Sequence, residues 1–216
     1  MASNGDEAVD ILSGAQKHRL IKQLRWHEDK PGLRPVDLLL ISGGGNDVVG
    51  ANDFERFIKS PYRSSYKKAE QCIHRSRLSR KVKQVGLAYE ELLDIRDQYS
   101  PSTQVITHCY DYPFPSLRGA RFWGGLYTSE SWMKPYMRNA GIPEPLQQPV
   151  VRYFVDALAE GLLKLQKRRS GFSVVDTRGT LTRQDQWVNE IHPDSAGFGL
   201  LAKPVLAELK RHWPPA

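Results

Sequence analysis

Cysteine is scarce in this chain of 216 residues: Cys72 and Cys109 are the only two, and they share no metal-type spacing. Two thiols allow one disulfide but no disulfide framework, so a reducing cytoplasm is the expected compartment. No apolar run approaches the roughly 20 residues that a bilayer requires, so no membrane span is expected. The opening Met1-Ala-Ser-Asn-Gly-Asp6 has no basic stretch followed by an apolar one, and nothing in it directs export. Acidic residues are scarce between 59 and 83, where Glu70 alone accompanies Lys59, Arg63, Lys67, Lys68, Arg75, Arg77, Arg80, Lys81 and Lys83. That segment carries +8 against +7 for the whole chain, which leaves the rest near −1. The basicity is therefore a local surface segment and not a property of the fold. Tyr62 and Tyr66 interleave with these cations, yet no nucleic-acid module signature accompanies them, so nucleic acid is not the favoured partner. Internal repeats and low-complexity tracts are absent, and the length fits a single domain over 1–216.

What is present alternates between strand and helix. Residues 6–26 read as a helix, with Val9, Leu12, Leu20 and Leu24 at near-helical spacing. Pro31-Gly32 and Pro35 punctuate the approach to an apolar strand at 36–41, and Asn52-Asp53 offers a cap for a short helix over 53–59. Val82, Val85, Tyr89, Leu92 and Leu93 mark a long amphipathic helix ending near Tyr99-Ser-Pro101. Gln104-Val-Ile-Thr-His108 and Phe172-Ser-Val-Val-Asp176 are two further strands. Helices follow over 148–168 and over 194–211, the last with Phe198, Leu201, Val205 and Leu209 expected to point inward. Between the strand at 104–108 and the helix at 148–168, the stretch 110–147 is too long and too aromatic for a passive connector, and reads as a substrate-side loop containing Trp123 and Trp132. This alternation predicts an α/β fold with a parallel sheet, and such sheets bind ligands at the carboxyl ends of their strands. Here those ends are Ser42–Asp47, His108–Tyr112 and Asp176–Gly179.

The run Ser42-Gly-Gly-Gly-Asn-Asp47 is no dinucleotide fingerprint, since Val48 stands three places beyond Gly45, and no Gly-Lys-Ser/Thr follows to make a P-loop. No cofactor is expected. Asn46 supplies a side-chain amide beside exposed main-chain N–H groups, an arrangement that donates to a developing oxyanion, while Asp47 is expected to brace the loop. Far downstream, Trp187-Val-Asn-Glu-Ile-His-Pro193 places His192 on a proline-stiffened loop, well situated for a general base, with Trp187 as its packing anchor. His108 ends a strand beside Tyr110-Asp111-Tyr112; a satisfied structural histidine is the plainer reading of it. A metal site from His108, Asp111 and His192 has no spacing to support it, and none is expected.

Together these blocks resemble the SGNH (GDSL-type) esterase and lipase superfamily. Gly44-Gly45-Asn46-Asp47 matches its third block, and Trp187–Pro193 its fifth, which carries the catalytic histidine. Thr107-His-Cys-Tyr-Asp-Tyr-Pro113 is similar to a stretch seen in one bacterial branch, and Asn4-Gly5-Asp6-Glu-Ala-Val-Asp10 to the second block. The resemblance runs from about residue 4 to 209. It implies a three-layer α/β/α flavodoxin-like sheet, a small ester or acylated substrate, His192 as base, and an oxyanion hole from Gly5, Gly44 and Asn46. It also puts His108, Tyr110, Asp111 and Trp123 on the substrate side.

Two departures accompany it. The family's fifth block carries an Asp that orients the imidazole; that position is Asn189 here, with Glu190 beside it as a substitute acid. The family's nucleophile lies in a Gly-Asp-Ser block ahead of the second block, and Gly5-Asp6-Glu7 has Glu in place of that serine. Ser42 and Ser3 are poor replacements for it. By the same resemblance the first one or two strands of the sheet are missing, which leaves the strand at 36–41 as a bare apolar edge open to pairing with another chain. Three readings stand: an ester hydrolase whose nucleophile block is absent from this chain, an inactive remnant that binds, and an anion-binding protein using 59–83.

Overall fold

The computed structural model describes residues 6–28, 32–122, 127–128 and 130–214. Three strands form its sheet: β1 (Leu38–Ile41), β2 (Gln104–His108) and β5 (Phe172–Val175). They lie in the order β1-β2-β5, all parallel, with Leu38 opposite Gln104 and Val105 opposite Phe172. Two short strands, β3 (Arg121–Phe122) and β4 (Tyr127–Thr128), pair antiparallel inside the aromatic loop. Parallel neighbours need crossovers, and helices supply them. β1 leads through α3 (Gly45–Val49), α4 (Ala51–Phe57), a 3-10 turn at Ala69–Cys72 and α5 (Arg75–Tyr99) into β2. From β2 the chain passes α6 (Lys134–Asn139) and α7 (Glu144–Gln166) to β5, then closes with α8 (Ser195–His212).

The strands alternate their side chains between two faces. Val105, Phe172 and Val174 join the main core with Val85, Tyr89, Leu92 and Leu93 of α5 and Phe154, Leu158 and Leu162 of α7. The opposite face carries Ile106, buried, and Ser173, whose hydroxyl meets His212 of α8 at 3.3 Å. Helices thus cover both faces of a reduced sheet, the three-layer α/β/α arrangement expected.

Several boundaries differ from the sequence reading. The expected helix over 6–26 is two helices, α1 (Ala8–Ile11) and α2 (Gly14–Arg25), because Gly14 takes a left-handed φ of 46° at the junction. The helix expected at 53–59 starts at Ala51 after Gly50. α7 begins at Glu144, four residues early, since Pro145 sits in its first turn, where the missing N–H costs nothing. Asp194 caps α8 by accepting from the Gly197 N–H at 2.6 Å. Phe198, expected inward, is 55 % exposed, and Gly197 is the one fully buried residue of α8. The reason is the width of the sheet: α8 lies over β5, and no described helix stands beside it on that face. β1 is the corresponding bare edge, with Leu40 56 % exposed. Cys72 and Cys109 are both free and buried. Among the described residues no helix is long and apolar enough to cross a membrane.

Candidate functional site

The carboxyl ends of β1 and β2 and the loop before α8 open onto one cavity of about 330 Å³. Ser42, Gly45, Asn46, His108, Tyr110, Asp111, Trp187 and His192 line it, with Val155, Leu158, Phe198 and Leu201 as its apolar wall. Gly5 and Trp123 lie outside the described residues.

The glycine loop turns sharply at Gly44, whose φ is 104° and where a Cβ would press on Val85 and Leu158 at 3.2 Å. A Cβ on Gly45 would stand 2.8 Å from the Tyr110 ring, so only glycine admits that ring. The next two residues fasten the N-terminal segment. Asn46 Nδ2 donates to the Asp6 carbonyl at 3.0 Å, and Asp47 Oδ2 accepts from the Ala8 N–H at 2.8 Å. Burial raises the Asp47 pKa, and its other oxygen has no partner among the described residues. Lys81 stands nearby, bonded to Glu7 and Asp53. From α5, Tyr89 donates to the Gly43 carbonyl at 3.0 Å and meets Thr107 of β2 at 2.8 Å, tying loop to sheet.

His192 sits on a tight loop closed by the Trp187–Pro193 bridge and by the Val188 N–H on the His192 carbonyl at 2.9 Å. Asn189 organises it. Its Oδ1 accepts the N–H groups of Ile191 (3.1 Å) and His192 (2.8 Å), which identifies that atom as the oxygen. The same Oδ1 lies 3.0 Å from His192 Nδ1. Nδ1 must then carry the proton, and Nε2 keeps a lone pair. Desolvation lowers the His192 pKa, so the ring is neutral at pH 7. The edge of Trp132 packs against it, with ring centroids 5.7 Å apart.

Glu190, expected as a substitute acid, is turned away from the imidazole and is fully buried. Its carboxylate accepts the N–H groups of Ser116 (3.1 Å), Met133 (2.6 Å) and Lys134 (2.8 Å). It ties Ser116 and the start of α6, two points within the aromatic loop, to the histidine loop. Asp111, expected on the substrate side, likewise spends its carboxylate on the N–H groups of Tyr112, Gly179 and Leu181, joining the end of β2 to the segment after β5.

Ser42 and His108 form a pair that the sequence reading did not join: Oγ and Nε2 are 2.9 Å apart. The Tyr110 N–H points at His108 Nδ1 from 3.2 Å, so Nδ1 accepts and Nε2 carries the proton. His108 therefore donates to Ser42 and does not take its proton. Burial lowers the His108 pKa as well, keeping the ring neutral. Tyr110, at a left-handed φ of 63°, brings its hydroxyl to 3.3 Å from Ser42 Oγ. Among the described residues no cluster of three metal-ligating side chains occurs. The local signal for the pair was the two strand ends; their register, Ile41 beside Thr107, is what aligns Ser42 with His108.

No family model and no curated protein matches the sequence. Among solved structures, the chain is similar to an extracellular lipase from Streptomyces rimosus, at 19% identity and a TM-score of 0.50, over 94% of this chain and 76% of that one. It is also similar to phospholipase A1 from Streptomyces albidoflavus, at 17% identity and a TM-score of 0.52, over 96% and 78%. At such identities the likeness is one of fold: an α/β architecture shared with these two structures.

Proposed function

We propose that the cavity is the acyl-ester site of an SGNH-type serine hydrolase whose Gly-Asp-Ser nucleophile block is absent from this chain, with His192 as general base. The observation that carries this is the locked tautomer of His192, whose Nε2 has no hydrogen-bond partner among the described residues and which lines the same cavity as Gly45 and Asn46. In acyl transfer a serine oxygen attacks the ester carbonyl while Nε2 takes its proton; the imidazolium then protonates the departing alcohol. Water completes the cycle on the acyl-enzyme by the same route. Gly44 and Asn46 would donate to the oxyanion, which requires the second amide hydrogen of Asn46, since one is held by Asp6. A neutral Asn189 holds the imidazole in the competent tautomer but stabilises its charged form less than a carboxylate does, so turnover is slower than an aspartate at this position would allow.

A second reading, a binding module without turnover, is favoured by Ser42. It is the one serine among the described residues that lines the cavity, and His108 donates to it instead of activating it. A fluorophosphonate probe on the purified chain, with the modified serine located by mass spectrometry, separates the two. Hydrolase chemistry gives a label that disappears in His192→Ala. A folded protein that takes no label would remove it and leave the binding module. The proposal also includes self-association through the bare edge of β1, in a soluble protein of the cytoplasm.

A further inference from the structure

The basic segment stands at the same end of the molecule as the cavity. α5 ends at Tyr99, just before β2 starts at Gln104, so it runs antiparallel to the strands and begins at their carboxyl ends. Val85 is level with the glycine loop, since it is what a Cβ on Gly44 would touch. Arg75, ten residues earlier, therefore stands about 15 Å beyond that loop at 1.5 Å per residue. Arg75, Arg80 and Lys83 are exposed on this projecting stretch, and Arg63, Lys67 and Lys68 are exposed on the segment that leads into it. Among the described residues, Lys81 is the one of the nine cations in a salt bridge. The first turn of α5 holds no acidic residue, although the dipole there favours negative charge. Lys59 and Arg77 converge on His74 at the head of the helix, where burial and their charges both lower its pKa.

We propose that these exposed cations form a docking surface for an anionic phospholipid layer, which would face the mouth of the cavity. Charge complementarity chooses the sign of the partner, and three further features favour lipid over nucleic acid. The Tyr62 and Tyr66 rings are half-buried and packed edge-on at 5.7 Å, with Lys59 over Tyr66, so neither is a free platform for a base. Tyr62 also spends its hydroxyl on the Tyr66 carbonyl. Leu117, 58 % exposed, follows β2 at the same end and adds an apolar contact. A diffuse row of exposed cations suits a headgroup layer, where each Lys or Arg adds a comparable increment of attraction.

The test is co-sedimentation of the full chain with vesicles of phosphatidylcholine alone and of phosphatidylcholine mixed with phosphatidylglycerol, at low and at raised salt. Binding should require the anionic lipid and fall as salt rises. The triple variant Arg75→Gln, Arg80→Gln, Lys83→Gln should lower the partition about a hundredfold, roughly fivefold per cation. Lys164→Gln with Lys167→Gln, at the far end of α7, should leave it nearly unchanged, and circular dichroism verifies that each variant folds. The proposal is overturned by equal binding to both vesicles, by wild-type binding of the triple variant, or by preference for a single-stranded oligonucleotide over the vesicles. None of these readings requires hydrolysis, so they stand apart from the outcome of the fluorophosphonate experiment.

Discussion

At Asn189 a single amide oxygen receives three donors: two main-chain N–H groups and the Nδ1 proton of His192. The geometry of a histidine–carboxylate pair is present without its charge. Nothing then offsets the desolvation that holds the His192 pKa below 6.5. Asn189→Asp places a carboxylate oxygen 3.0 Å from Nδ1 and should raise the proton affinity of the ring about tenfold or more. A histidine-detected NMR titration reads this directly. A curve identical to wild type would show that the residue at 189 does not meet the ring. If the chain hydrolyses esters, the acidic limb of its pH profile moves the same way, toward higher pH.

Among the elements, the short α1 puts Ala8 and its C-terminal neighbour Leu12 into the main core, and polar contacts fasten the rest of it. Asp47 and Asn46, at the start of α3, fasten Ala8 and Asp6, and Lys81 of α5 adds Glu7. Asp47 is 1 % exposed with one oxygen unpartnered among the described residues, so burial outweighs the N–H of Ala8 and the charge of Lys81 and raises its pKa. The sign follows from proton linkage. Between the ordinary Asp value of 3.8 and the raised value, the folded state binds the extra proton, so stability falls as pH rises through that window. Asp47→Asn keeps an acceptor for Ala8 and removes the buried charge. It should therefore stabilise the protein at neutral pH, with the gain shrinking to nothing below pH 3.8. Urea unfolding across this range decides it; a variant less stable than wild type at pH 7 would mean that the charge itself holds α1.

Among the described residues the main sheet has three strands, with several helices on one side, α8 on the other, and β1 and β5 as its two edges. β1 is Leu-Leu-Leu-Ile, without the Lys, Pro or bulge that usually blunts an edge. Leu40 faces outward on the thin side, and Phe198, Leu206 and Trp213 of the α8 region are also exposed. Concentration-dependent association is the expected consequence, and Leu40→Lys should shift it toward monomer. Sedimentation velocity of the two proteins over a dilution series measures this. If both remain monomeric at the highest concentration, the edge is not a pairing surface.

The three parallel strands, the long helices and the two loops of the cavity were legible in the sequence, because each is written by neighbours; the β3-β4 pair inside the aromatic loop was not. Three leucines and an isoleucine ending at Ser42 make a strand whatever lies beside it. A glycine run cannot continue a strand, and Asp194 after Pro193 caps a helix on its own. What depended on residues far apart in the chain was not legible. Glu190 reads as an acid beside a histidine, yet its carboxylate is claimed by Ser116, Met133 and Lys134, more than fifty residues away. Ser42 and His108 meet through the register of β1 on β2, and the direction of their hydrogen bond is set by the N–H of Tyr110. Phe198 has the spacing of a core residue and is left in the open by the width of the sheet. Sequence by itself determined which segments fold and which side chains reach the strand ends. Only the tertiary structure decided which of those groups donate, accept or stay free, because a hydrogen bond or a burial cost belongs to a pair of surfaces and not to a stretch of chain.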